Sequence, residues 1–183
     1  MTLLRIKDNQ AARKWTRREL ALRVLWAFVY PLFRFSPRIF WKWRVWLLRM
    51  FGASIAWDVH IHPTVAIALP WNIVIESEAS IGDRAILYNL GLISVEATAT
   101  ISQGAHLCAG THDYRRADLP LLKLPITIGE GVWICADAFV GPGVRVGDYA
   151  IVGARAVAMK DVEAWSIVAG NPARLIKKRL PPI

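Results

Sequence analysis

Ile128, Ile134, Val140, Val146 and Val152 stand six residues apart without a slip, and glycine follows four of the five. Four residues after each comes a second small or apolar side chain: Val132, Ala138, Val144, Ala150 and Ala156. A double period of six suits neither an α-helix nor a plain alternating strand, and a fixed repeat of that length points to a β-solenoid. Each hexad then forms one short flat side of a coil, its aliphatic side chain pointing inward. The Gly and Asp residues beside it suit a sharp corner. Three hexads close a triangular turn, and successive turns stack at roughly 4.8 Å, the spacing of hydrogen-bonded strands.

The same period extends towards the N-terminus in three frames. Ile55, Ile61, Ile67 and Ile73 form the first, Ile75, Ile81, Leu87 and Ile93 the second, and Val95, Ile101 and Leu107 the third. Ala79, Ala85, Ala97, Ala99 and Ala105 take the secondary position. The two-residue slips at Ile73/Ile75 and Ile93/Val95 read as bulged corners, where a solenoid tolerates insertions. Ile128 then follows Leu107 by 21 residues, through CAGTHDYRRADLPLLKLPI, which abandons the pattern. This polar, proline-containing stretch predicts a loop projecting over about 112–125, and long excursions from a regular scaffold tend to carry function. After Val157 the period fades. Asn171-Pro172 marks a turn, and residues 173–180 read as a short basic helix. The expected layout is a helical arm over 1–52, a β-solenoid over 53–158 and a C-terminal tail over 159–183.

The formal charge of +9 is unevenly placed. Residues 1–52 hold 12 Lys/Arg against 2 Asp/Glu, residues 53–173 hold 7 against 12, and the last ten add 4 cations. The solenoid is therefore mildly acidic, and the basic total does not imply nucleic acid binding. The arm is the part suited to an anionic surface. Thr16-Arg17-Arg18-Glu19 has the spacing of a capping box, and the apolar run over 20–33 that follows contains one charge, Arg23. Its 14 residues fall short of the ~20 needed to span a bilayer. No small-x-small cleavage site follows, and Arg34, Arg38 and Lys42 do, so a cleaved signal peptide is rejected. Ser36-Pro37 suits the start of a second helix that stops at Gly52, with residues 1–15 a polar lead-in.

The arm carries five of the nine tryptophans among its cations. That pairing favours the headgroup layer of a membrane, and equally the arm could pack on the solenoid and shield its open edge. The expected location is cytoplasmic, with peripheral contact to an anionic membrane.

Two cysteines, Cys108 and Cys135, lie inside the repeats and read as small, semi-buried side chains. Neither stands beside a base, so neither reads as a nucleophile, and no Cys/His cluster suggests a zinc site. His112 opens the projecting loop between Gly110 and Asp113. Imidazole titrates near neutrality and can take a proton from a hydroxyl as that oxygen attacks an acyl carbon. The ordinary alternative is a loop histidine with no catalytic duty. His106 sits beside inward-facing Leu107, and His60 and His62 read as surface residues of an early coil.

The hexads, the CAGTHDY loop, the IGEGVWICADAFVGPGVRVGDYAIVGARAV run and the VAGNPARLI tail resemble the hexapeptide-repeat acyltransferases, over roughly residues 53–180. More narrowly they resemble the branch of sugar O-acetyltransferases that acts in colanic acid biosynthesis. The resemblance implies an all-β, left-handed parallel β-helix that assembles as a homotrimer with its sites in the clefts between subunits. It implies acetyl-CoA as co-substrate and a sugar or lipid-linked saccharide as acceptor. By resemblance His112 matches the catalytic base, and Asn89, in LYNLG, matches an asparagine that helps place the acceptor or the reacting oxygen. Trp133, in GVWI, matches an aromatic lining the thioester end of the cleft. The pantetheine arm would run along backbone near Ala136, Gly153 and Ala154. Arg155, Lys160, Pro172 and Arg174 take positions that meet the nucleotide end, in keeping with the phosphates of CoA and the cations of the tail. The rival readings are a non-catalytic solenoid scaffold and a zinc hydratase of the same fold. The latter needs three imidazoles converging on a metal, and His106 and His112, six apart, fall on adjacent sides of a coil.

Overall fold

The structure is a computed structural model that describes residues 4–181; the first three residues of the arm and the last two of the tail lie outside the described residues. Strands of two to five residues stack into sheets of five, seven and five, which form the three faces of a parallel β-solenoid. Three ladders of inward side chains fill it. Ile55, Ile75, Val95, Ile128 and Val146 pair in register on the first face. Ile61, Ile81, Ile101, Ile134 and Val152 do so on the second, and Ile67, Leu87, Leu107, Val140 and Ala158 on the third. All are buried, and burying a single such aliphatic is worth about 1.5–3 kcal/mol. The secondary residues are buried as expected except Ala97, which is half-buried beside the left-handed Thr98.

The register explains the two slips. Ile75 follows Ile67, and Val95 follows Leu87, by eight residues instead of six. Both insertions fall on the edge joining the third face to the first, where a 3-10 turn, Pro70–Asn72, takes up one of them. The long loop leaves from the same edge, between strands His106–Cys108 and Ile126–Ile128. One edge of the prism therefore absorbs every insertion between residues 55 and 128. The other edges stay tight. At Gly104 the backbone has φ +68°, and a Cβ there would collide with the Asp137 carboxylate.

The arm packs on the solenoid in three helices. The lead-in forms α1, Ile6–Ala11, which the polar composition hid. Helix α2, Arg17–Arg34, starts at the expected capping box, with Glu19 N donating to Thr16 Oγ1 at 3.1 Å and Thr16 N to Glu19 Oε2 at 2.7 Å. It lies along the third face, where Trp26 Nε1 donates to the Ile67 carbonyl at 3.1 Å. Helix α3, Trp41–Met50, ends before Gly52 (φ +91°) as expected but starts later than Ser36-Pro37 suggests. The Ser36 hydroxyl turns back to the Phe33 carbonyl at 2.7 Å instead of capping a new helix.

Arg44 in α3 is only 1% exposed. Its guanidinium donates to the Ile61, Pro37 and Arg38 carbonyls and to Ser36 Oγ at 2.6–2.9 Å. Burial pushes its pKa down, and the four acceptors hold the charge in place while tying the inter-helix turn to the second face. An Arg44→Met variant strips those acceptors of their donor; the buried Ile61 carbonyl alone then costs ~1–3 kcal/mol, and the three part-buried acceptors add to it. Thermal or denaturant unfolding should show a loss of roughly 3 kcal/mol or more.

The tail corrects the expected basic helix. Arg174–Lys178 is a strand, antiparallel to Ser166–Ala169. The last parallel strand of the second face exposes unpaired N–H and C=O groups, and a returning strand pairs with them where a helix could not.

Candidate active site

The projecting loop is a hairpin. Thr111–His112 pairs antiparallel with Leu121–Leu122, so His112 faces Leu121 in register. Its ring is exposed, and Nδ1 lies 2.7 Å from the Leu119 carbonyl oxygen. A carbonyl only accepts, so Nδ1 carries the hydrogen and Nε2 of the neutral ring keeps the lone pair. Leu119 adopts φ +44°, uncommon for a branched side chain, and that conformation aims its carbonyl at the imidazole. Such an arrangement anchors one nitrogen and can offer the other as a proton acceptor.

The lead-in meets this loop, a contact that sequence reasoning missed. Arg5 N donates to the Ala117 carbonyl at 2.7 Å, and Asn9 Nδ2 donates to the carbonyls of Asp118, at 2.7 Å, and Leu119. Lys123 lies over the Trp15 ring, 3.7 Å from its centroid. No periodicity links residues more than 100 positions apart, so no local signal could have found these.

Asn89 requires a correction. It is fully buried, and its side chain is spent inside the chain. Oδ1 accepts from Ala68 N and Leu69 N, both at 3.0 Å, and Nδ2 donates to the carbonyls of Leu69 and, at 3.4 Å, Asn72. Both lone pairs and both hydrogens are taken. Asn89 braces the inserted corner around Pro70–Asn72 and has nothing left for an acceptor or an oxyanion.

The remaining residues gather elsewhere. Trp133 projects from the second face, 47% exposed, its Nε1 donating to Ser102 Oγ at 2.8 Å. Ala136 and Gly153 to Arg155 stack on the next edge, between second and third faces, with Arg155 N donating to the Ala136 carbonyl at 2.9 Å. Arg155 stands 3.6 Å from Asp137. Lys160, Pro172 and Arg174 line a groove of about 550 Å³ at the C-terminal end of the coil. Cys135 is partly buried, and burial pushes its thiol pKa up, away from the reactive thiolate. His106 packs edge-on against Phe139, with ring centroids 5.2 Å apart, and burial pushes its pKa down. His112 thus leaves the prism from the edge between third and first faces, whereas Trp133 and Arg155 lie on the second face and its far edge. One chain does not bring them together.

A family model described as bacterial transferase hexapeptide (six repeats) matches residues 125–157. The Escherichia coli K12 protein named as the colanic acid biosynthesis acetyltransferase WcaF is 40% identical over 161 residues, 88% of each chain. Two solved structures share the fold. A hexapeptide-repeat acetyltransferase from Vibrio cholerae, complexed with acetyl coenzyme A, has a TM-score of 0.82 at 22% identity and covers 98% of this chain and 97% of its own. A galactoside acetyltransferase in complex with coenzyme A has a TM-score of 0.81 at 22% identity, covering 95% and 88%. With two fifths of its residues shared along nearly its whole length, the chain belongs to the hexapeptide-repeat acetyltransferases, on the branch of the colanic acid biosynthesis enzyme.

Proposed function

We propose that this protein is an acetyl-CoA-dependent O-acetyltransferase acting on a sugar hydroxyl in exopolysaccharide biosynthesis, with His112 as general base. The observation that carries the reading is the 2.7 Å contact between His112 Nδ1 and the Leu119 carbonyl, which leaves Nε2 as the acceptor. In the reaction Nε2 takes the proton of the sugar hydroxyl while that oxygen attacks the thioester carbon. The tetrahedral oxyanion collapses, the C–S bond breaks, and the departing thiolate takes a proton from the imidazolium. With Asn89 buried and saturated, backbone N–H groups are left to stabilise the oxyanion. Holding both substrates in one cleft supplies the remaining advantage, and no covalent enzyme intermediate is required.

Because the loop of His112 and the edge of Trp133 and Arg155 diverge within one chain, the working site is formed between subunits of a homotrimer. Trp133 lines the thioester end, Ala136, Gly153 and Ala154 line the pantetheine, and Arg155, Lys160, Pro172 and Arg174 meet the nucleotide phosphates. The test is release of free CoA thiol from acetyl-CoA in the presence of saccharide acceptors, with mass spectrometry of the product for one added acetyl group. No acetylated product with any saccharide, free or lipid-linked, would count against the reading. Replacing Arg155, Lys160 and Arg174 together by Ala should raise the KM for acetyl-CoA at least tenfold and leave that for the acceptor within about twofold. It should also flatten the salt dependence of CoA binding, since screened phosphate contacts are lost. Unchanged CoA affinity by calorimetry would move the nucleotide site elsewhere.

The arm supports a peripheral membrane location on the cytoplasmic leaflet. Among the described residues no helix is long and apolar enough to cross a membrane. Yet α2 is apolar on both sides. Trp26 and Phe33 face the solenoid, while Val24, Leu25, Phe28 and Leu32 are 52–78% exposed and Phe35 just beyond the helix is 81% exposed. An amphipathic helix in water shows a polar outer face, and an apolar patch of this extent marks a surface to be covered. From Leu20 to Trp57 there is no Asp or Glu, whereas the same stretch carries Arg23, Arg34, Arg38, Lys42 and Arg49. Such cations repel a second copy of the same surface and suit anionic lipid. An acceptor carried on a membrane lipid fits this location.

A further inference from the structure

The N-terminal segment before α2 does more than cover the coil. Three successive carbonyls in the loop of His112 accept hydrogen bonds from it: Ala117 from Arg5 N, then Asp118 and Leu119 from Asn9 Nδ2. The last of these is the same oxygen that receives His112 Nδ1. A carbonyl oxygen has two lone pairs, and here one meets the imidazole and the other meets Asn9. Lys14 settles which way the Asn9 amide points. Its Nζ, a donor only, lies 2.5 Å from Asn9 Oδ1, so the amide nitrogen must face the loop. Lys14 is itself held, its carbonyl accepting from Lys123 Nζ at 3.2 Å, and Lys123 sits between the Trp15 ring and Glu19, 4.0 Å away. The strap thus grips both the tip and the return strand of the hairpin.

We propose that Asn9 is a positioning residue for acetyl transfer: by fixing the Leu119 carbonyl it sets the tautomer and aim of the His112 imidazole. The inference rests on the assignment of His112 as the base. Leu119 supports the need for a clamp. Its φ of +44° is strained for a non-glycine residue and persists only where surroundings hold it. The hairpin tip has its own turn bonds, Leu119 N to the Arg116 carbonyl at 3.1 Å, Arg116 N to the Asp113 carbonyl at 3.3 Å and Asp113 N to the Pro120 carbonyl at 3.0 Å, but none of these reaches the Leu119 carbonyl oxygen, which His112 and Asn9 share. Without the amide the carbonyl relaxes, the Nδ1 contact loosens, and the ring samples both tautomers and other rotamers. Only the fraction with a lone pair on Nε2 facing the acceptor stays productive. Asn9 and the Leu119 carbonyl act on the Nδ1 side of the ring and not on acetyl-CoA, so acetyl-CoA binding should be spared.

The test uses the full chain with Asn9→Ala and Asn9→Asp, the latter keeping shape but losing the donor. Both should lower kcat about tenfold or more while KM for acetyl-CoA and the thermal midpoint stay near wild type. Asn9→Gln, which keeps the donor, should recover part of the rate. Nitrogen-15 NMR of the histidine rings gives a readout independent of turnover. The signals that vanish in His112→Ala identify this ring, which should be the Nδ1–H tautomer in the wild type and a mixture in Asn9→Ala. Full kcat in Asn9→Ala with an unchanged ring signal would overturn the proposal. So would a fall in kcat that tracks a fall in thermal midpoint with the tautomer unaltered, which marks Asn9 as merely structural. If the wild type transfers no acetyl group, the assignment of the base fails first, and the ring signals still decide whether Asn9 sets the tautomer.

Discussion

A His112→Ala variant should lose acetyl transfer by two to four orders of magnitude, the usual worth of a positioned general base. The chain should keep its fold, because the imidazole is exposed and the hydrogen bond its ring makes among the described residues is to a loop carbonyl. The solenoid core contains none of it. The measurement is initial-rate thiol release at saturating acetyl-CoA and acceptor, set beside thermal unfolding and the assembled mass. His106→Ala is the control. His106 is packed against Phe139, so its loss should lower stability more than rate. Retention by His112→Ala of more than about a third of the wild-type rate would remove it as the base. A reversed ranking of the two variants would mean that the reacting imidazole is the one inside the repeat.

The second large effect is on membrane attachment. Replacing Phe28, Leu32 and Phe35 with Ser should abolish flotation with vesicles rich in anionic lipid. Each large apolar side chain withdrawn from water is worth about 1.5–3 kcal/mol, so the three together exceed the ~1 kcal/mol contributed by any one nearby cation. In an assembly that presents several arms the loss is compounded, because weak contacts add only while each survives. These side chains point away from the core, so the variant should remain folded. The wild type should float in proportion to anionic lipid and be partly released by high salt, as screening requires. Wild-type protein that stays in solution with anionic vesicles at low salt would refute the membrane reading. A triple variant that still floats but changes its assembled mass would assign the α2 face to subunit contact instead.

The solenoid was written in the sequence because each of its constraints is local. An inward aliphatic every six residues and a small residue four further on define a coil whose neighbour in space is also the next repeat in sequence. Ile128 to Val152 therefore announce not only strands but their stacking, and the burial of all five follows. The capping box at Thr16 and Glu19 and the stop at Gly52 were legible for the same reason. His112 stood out because a strict pattern makes its own interruption visible. What failed was whatever depended on partners that the six-residue period does not specify. The basic stretch after Ala173 has helical composition, but the last strand of the second face offered it an unpaired edge, and strand pairing won. Asn89 has the sequence context of a ligand-binding asparagine, yet the inserted corner at Pro70–Asn72 placed two backbone donors and two acceptors around it and used its amide up. Ser36 lost its capping role to Phe33 and Arg44. Most of all, nothing near His112 in sequence says that Asn9, 103 residues earlier, shares its carbonyl. Repeats encode contacts between neighbours in the chain, whereas hydrogen bonds between a strap and a loop arise only when the fold has carried both to the same edge.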